Sequence, residues 1–224
     1  ADIAWHDGII ANPNCSTIIA LMAVAPLRQL GSIRRVVIST YQAASGAGAQ
    51  ATEELRSQSL EILEGKPPTT RVFPHPIAFN LFSHNSPVGP DGYNEEERKM
   101  VLETRKIFHD ESFRITAMCV RVPVFRAHSE SINVEFDGPR PSLAAVRECL
   151  SQAAGVEIVD DPQNNHFPMP IEATGKGNVL VGRIRNDLSC EGAIDMFVCG
   201  DQLLKGAALN GFQIAREWIR QANA

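Results

Sequence analysis

Residues 114–137 read RITAMCVRVPVFRAHSESINVEFD. Two runs in this stretch, Arg114 to Val124 and Ser131 to Asp137, are rich in strand-forming residues, and only a short connection separates them. No helical pattern fits between them, so strands and helices do not alternate strictly. Further strands are predicted at 34–40 (RRVVIST), 156–160, 178–185 and 194–198. Helices are predicted at 14–30, 47–65, 94–110, 141–154 and 201–221. Pro26 is expected to kink or shorten the first, and Gly31 to end it. Asn94 is the expected N-cap of the third, with Glu95, Glu96 and Glu97 in its first turn, where the helix dipole favours them. The Pro-rich stretch 66–90 is expected to wrap the surface irregularly. This order predicts an α+β fold: a mixed or largely antiparallel sheet with helices on one face.

The bulk numbers exclude several classes. The chain has 224 residues, 44% of them hydrophobic, enough for one sizeable core or a domain with an appendage. Its formal net charge is −5, which does not suit a nucleic-acid partner. Apolar runs meet Pro, Arg or Gln before membrane-spanning length, so no membrane helix is expected. Five cysteines, Cys15, Cys119, Cys149, Cys190 and Cys199, are an odd set in a chain this long. They argue for a reducing compartment rather than a disulfide framework. No tight Cys/His cluster supports a metal site.

Four features carry possible chemistry. In ANPNCSTIIA, residues 11–20, Cys15 falls where a turn becomes an apolar helix. Free first-turn N–H groups and the helix dipole are expected to favour a thiolate and to hold an oxyanion, and Asn14 adds a side-chain donor. The alternative is a small residue buried at a helix start. Ser45 to Ala51 (SGAGAQA) satisfies GxGxxA, but the following KPPTTRVFPHP is no strand, so the dinucleotide fingerprint fails in context. A close backbone approach to a ligand, or a plain tight turn, remains. Glu96 and Lys99 share a helix face, as a surface pair or as binding groups. Arg121 sits in an otherwise apolar strand and needs an anion. His128 falls in the loop expected between the two strands, free to serve as acid and base or merely solvated.

Seven stretches in one order, ANPNCST, YQAASGAG, FPHPIAFN, EEERKM, CVRVPVFRAHSE, FPMPIEATGKGNVLVGRIRND and GDQLLKGAALN, resemble the aspartate-β-semialdehyde dehydrogenase family over nearly the whole chain. The resemblance implies a glyceraldehyde-3-phosphate-dehydrogenase-like catalytic domain over residues 1–200. It implies that residues 201–224 form a helix packing on an NADP-binding half. It implies NADPH-dependent reduction of β-aspartyl phosphate to aspartate semialdehyde through a cysteine thioacyl intermediate, on the route to lysine, threonine, methionine and isoleucine. Cys15 matches the nucleophile, Gln42 the glutamine that orients the acyl group, and His128 the acid/base. Arg121 matches the group that grips the α-carboxylate, Glu96 the one that receives the ammonium, and Lys99 the phosphate-binding lysine. Ser45, Gly46 and Gln202 match positions that touch NADP, and Asn210 one near the nicotinamide. A homodimer or tetramer in the cytoplasm, or in a plastid if the source is a plant, is implied. Family members open with a Rossmann half, and nothing before Ala11 matches its glycine-rich loop. The chain, which starts at Ala1, is therefore expected to be a fragment or a processed product that alone binds NADPH weakly and turns over poorly. Competing readings are a related reductase, of N-acetyl-glutamyl phosphate or an acyl-CoA, and a non-catalytic oligomerising paralogue.

Overall fold

The computed structural model describes residues 2–5 and 7–222. Its strands are β1 (Ile33–Gln42), β2 (Phe82–Ser83), β3 (Ile115–Arg121), β4 (His128–Phe136), β5 (Val156–Ile158), β6 (Val179–Asn186) and β7 (Ala193–Gly200). Its α-helices are α1 (Cys15–Leu27), α2 (Ala49–Leu63), α3 (Glu95–Phe108), α4 (Leu143–Ser151), α5 (Pro170–Ala173) and α6 (Leu209–Ala222). The seven strands form one sheet in the order β2-β3-β1-β4-β7-β6-β5. β1 runs parallel to β3 and β5 to β6, and the other neighbours are antiparallel. The fold is thus α+β with a mixed sheet, as the unbroken succession of β3 and β4 implies.

Strand alternation divides the sheet into two faces. On β1, Val36, Ile38, Thr40 and Gln42 are buried, while Arg35 and Tyr41 are exposed on the other face. α1, α3 and α4 cover the buried face through one continuous core that includes Ile19, Leu27, Met100 and Leu150. α1 is apolar all round its circumference, which is why it lies in the middle of that core rather than at its rim.

Local chemistry moves several ends. α1 stops at Leu27, just past Pro26, because the proline has no N–H to give the preceding turn. α2 starts at Ala49, after a 3-10 turn over Ala44–Ala47 and Gly48 at φ 98°. α4 starts at Leu143, capped by Ser142, not at Pro141. The single helix expected from residue 201 is interrupted. Asp201 accepts N–H bonds from Leu203 and Leu204 at 3.0 and 3.2 Å, and a π-helical turn, Leu204–Ala208, precedes α6. The stretch 66–90 is irregular, as expected, but firmly held. Buried Glu54 of α2 accepts the N–H groups of Arg71, Val72 and Phe73, and Gln58 accepts those of Ile77 and Ala78.

Candidate active site

Asn14 is the N-cap of α1, its Oδ1 accepting the N–H groups of Ser16 and Thr17 at 2.9 and 3.2 Å. Its Nδ2 donates to Glu96 Oε1 at 2.8 Å, so the amide expected to face a ligand is committed at both ends. Cys15 follows as the first helical residue. The π-helical turn lies directly against it: a Cβ on Gly206 would stand 2.9 Å from that of Cys15, so only glycine fits. The expectation of a depressed thiol pKa is overturned. Burial, then the charges of Glu96 and Glu130, push it up to about 12, and hydrogen bonds from Ser16 only partly oppose this. The dipole of a helix terminus acts weakly compared with desolvation and two carboxylates.

Beside Cys15 the strand ends form a row. Gln42 is the register partner of Arg121, and its Nε2 donates to Ser16 Oγ at 3.0 Å and to Glu96 Oε1 at 3.4 Å. His128 is not in a loop. It opens β4 and is fully buried, because the ladder to β7 extends three residues past the apolar pattern, to the pairing with Gly200. Its Nδ1 accepts the Ala43 N–H at 3.0 Å, which places the proton of the neutral ring on Nε2. Nε2 has no partner among the described residues. Burial, then the nearby charge of Arg121, lower the pKa of His128 to about 3. The ring is therefore neutral, and an N–H donor towards the site. Gly46 closes over this row: a Cβ there would lie 3.0 Å from His128 Cε1 and 3.1 Å from Arg121 Nη1.

Arg121, the last residue of β3, is 2% exposed and forms no ion pair among the described residues. Nη1 donates to Ala43 O and Nη2 to His84 Nε2, each at 2.9 Å, while Nε has no partner. A buried guanidinium with donors to spare suits a carboxylate ligand. Glu96 is 7% exposed and likewise has no cationic partner among the described residues. Lys99, one turn further along α3, is exposed, and its charge reaches His84. The structure thus brings Asn14, Cys15, Gln42, Glu96, Arg121 and His128 together, with Lys99 at the rim.

Of the positions matched to NADP, Ser45 and Gln202 bond each other, and Gln202 Oε1 also accepts the Ala127 N–H at 2.9 Å. Both are buried and serve first to fix the turn. Asn210 accepts from Lys205 at 3.2 Å and donates to Asn12 at 2.8 Å, beside the segment that leads to Cys15. The turn and the first residues of α2 line a cavity of about 520 Å³ that includes Ser45, Gly48, Thr52, Arg56 and Arg126. The start of α2 has no side-chain cap, while Arg126 pairs with Asp201 at 2.8 Å and Arg56 with Glu53 at 3.6 Å.

Two residues of the site were not read from sequence. His84, in the irregular stretch, carried no periodic signal. Glu130 was hidden among the residues of a supposed loop. It is 0% exposed, and neither carboxyl oxygen has a hydrogen-bond partner among the described residues. Burial raises its pKa well above the ordinary value and so favours the neutral acid. Among the described residues no cluster could hold a metal ion, and no helix is long and apolar enough to cross a membrane.

Residues 24–205 match the family described as semialdehyde dehydrogenase, dimerisation domain. Aspartate-semialdehyde dehydrogenase of Synechocystis sp. is 58% identical over 219 residues, 96% of this chain and 64% of that protein. The crystal structure of aspartate semialdehyde dehydrogenase II complexed with ASA from Vibrio cholerae superposes with a TM-score of 0.90 at 42% identity, over 95% of this chain and 62% of that one. The Candida albicans aspartate semialdehyde dehydrogenase with NADP gives 0.70 at 25% identity, over 96% of this chain and 58% of that one. The chain thus spans under two thirds of the length of each of these relatives.

Proposed function

Because the chain belongs to the semialdehyde dehydrogenase dimerisation-domain family, we propose that it carries the catalytic machinery of an NADP-dependent aspartate-semialdehyde dehydrogenase. The substrate is β-aspartyl phosphate, or aspartate semialdehyde and phosphate in reverse, in amino-acid biosynthesis. The observation that carries this reading is the pair of unmatched buried charges, Arg121 and Glu96, around one cysteine. Together they are complementary to an α-carboxylate and an α-ammonium, the two charges of an amino acid.

Cys15 Sγ attacks the acyl carbon, the bond from that carbon to the phosphate oxygen breaks, the thiol proton leaves with the phosphate as hydrogen phosphate, and the acyl group is carried as a thioester, with Gln42 orienting it. Lys99 steadies the departing phosphate. Ser45, Gly46, Gln202 and Asn210 would hold the NADPH, which would supply a hydride for the thioester carbon. His128 holds its proton at Nε2 and donates it towards the acyl oxygen as charge develops there. Taking a further proton would cost His128 the Ala43 N–H bond at Nδ1. The substrate itself helps to ionise Cys15: an ammonium seated on Glu96 offsets the carboxylate charge there that opposes the thiolate. All five cysteines are free, which suits work in a reducing cytoplasm. A second copy of the chain completes the assembly, and residues 201–224, of which 223 and 224 lie outside the described residues, are the part assigned to a nucleotide-binding domain.

The test is an assay of the whole protein with L-aspartate semialdehyde, phosphate and NADP. Turnover is expected, and Cys15→Ser should reduce it by roughly a thousandfold or more. Preference for N-acetyl-glutamate semialdehyde, which has no free amino group for Glu96, overturns the reading.

A further inference from the structure

The carboxylate clamp has a support that the sequence did not suggest. β2 pairs with β3 so that Phe82 opposes Arg121, and His84, the first residue after β2, donates its backbone N–H to Cys119 O at 2.9 Å. That pairing fixes the His84 backbone beside the end of β3. His84 Nε2 lies 2.9 Å from Arg121 Nη2. Arginine has no acceptor, so Nε2 must accept and the ring proton sits on Nδ1. Nδ1 lies 3.1 Å from Ser86 Oγ and 3.2 Å from Ser86 N; carrying the ring proton, it donates to Oγ and cannot also accept the Ser86 N–H, and Ser86 Oγ also accepts the Glu96 N–H at 3.2 Å. A continuous path of hydrogen bonds therefore runs from Arg121 through His84 and Ser86 to the first turn of α3, where Glu96 sits.

We infer that His84 is a positioning residue for substrate selection: its neutral ring holds the Arg121 guanidinium with the Nε edge open to a carboxylate, and sets that edge relative to Glu96. The inference rests on the function proposed above. Ala43 O fixes the other terminal nitrogen, and Phe73 lies under the guanidinium at 5.6 Å, so the three contacts together define the plane. The ring remains an acceptor at neutral pH. Burial and the charges of Arg121 and Lys99 oppose its protonation, Glu96 and Glu97 favour it, and the balance lowers its pKa to about 4. Were His84 charged, it would repel Arg121 and close the path.

The experiment compares wild type, His84→Ala and His84→Gln in the whole protein, with L-aspartate semialdehyde and with 3-aminopropanal, which lacks the carboxylate. His84→Ala should raise KM for the amino-acid aldehyde about 10- to 100-fold, with a smaller change in kcat and with kcat/KM for 3-aminopropanal little moved. Gln keeps an acceptor at the same reach and should bring KM back to within about fivefold of wild type. In wild type, ¹⁵N NMR should report His84 Nε2 as an unprotonated acceptor, a readout that stands even if His84→Ala fails to fold. A protonated Nε2, an unmoved KM in His84→Ala, or equal losses on both substrates overturns the inference. If wild type turns over no aspartate semialdehyde at all, the proposed function falls first and takes this inference with it.

Discussion

At the scale of single residues, the site is a set of groups whose charge states are controlled by burial. Cys15, with its pKa pushed to about 12, is a thiol at neutral pH when nothing is bound. Iodoacetamide should label it slowly at pH 7 and about tenfold faster per pH unit between roughly 8 and 11. Glu96→Gln removes a charge that opposes the thiolate and should move that titration down. Mass spectrometry of the modified peptide checks both, and fast labelling at pH 7 without ligand contradicts the account. Glu130 has the opposite consequence. Its pKa is higher folded than unfolded, so the native state binds the proton more tightly. Stability is therefore lost as pH rises above the unfolded value of about 4.3. Glu130→Gln should melt a few degrees above wild type at pH 8 and level with it near pH 4, as read by calorimetry. The residue types of the site were legible from sequence, since a cysteine at a helix start and an arginine in an apolar strand both stand out. Their charge states were not, because desolvation depends on neighbours distant in the chain.

Elements position these groups, and their ends matter more than their middles. α3 opens with a full capping box: Asn94 Oδ1 accepts the Glu97 N–H, and Glu97 returns a bond to the Asn94 N–H, both at 2.9 Å. Glu97 Oε1 also accepts the Cys119 N–H at 2.9 Å, tying the helix start to β3. Asn94→Ala should cost about 1–2 kcal/mol in denaturant unfolding, and should raise KM through the displaced Glu96. Glu54 does the same for the irregular stretch. Its replacement by Ala leaves three N–H groups without their carboxylate, and limited proteolysis should then cut within residues 66–80. Most elements were legible, α3 with its cap most clearly. β2 was not, since two residues carry no periodicity. The first residues of β4 were misread because His128, Ser129 and Glu130 are polar yet buried.

Across the whole molecule, α1, α3 and α4 cover one face of the sheet; the other is closed over Leu180 and Cys199 by Ala173 of α5 but left open over β1 and β3, with Met118 64% and Tyr41 39% exposed there. Apolar groups on an open sheet face are what a second copy would cover. Met118→Glu should shift the protein towards monomer at micromolar concentration in sedimentation velocity, with the fold intact. On α6, Phe212 is exposed. By itself the sequence determined the α+β class, the cysteine at a helix start and the candidate residues, since these depend on periodicity, on turn and cap chemistry and on residue type. Only the tertiary structure decided that Arg121 leans on His84, that His128 keeps its proton on Nε2, and that Cys15 rests as a thiol. Each of those depends on hydrogen bonds and burial among residues far apart in the chain, which local patterns do not encode.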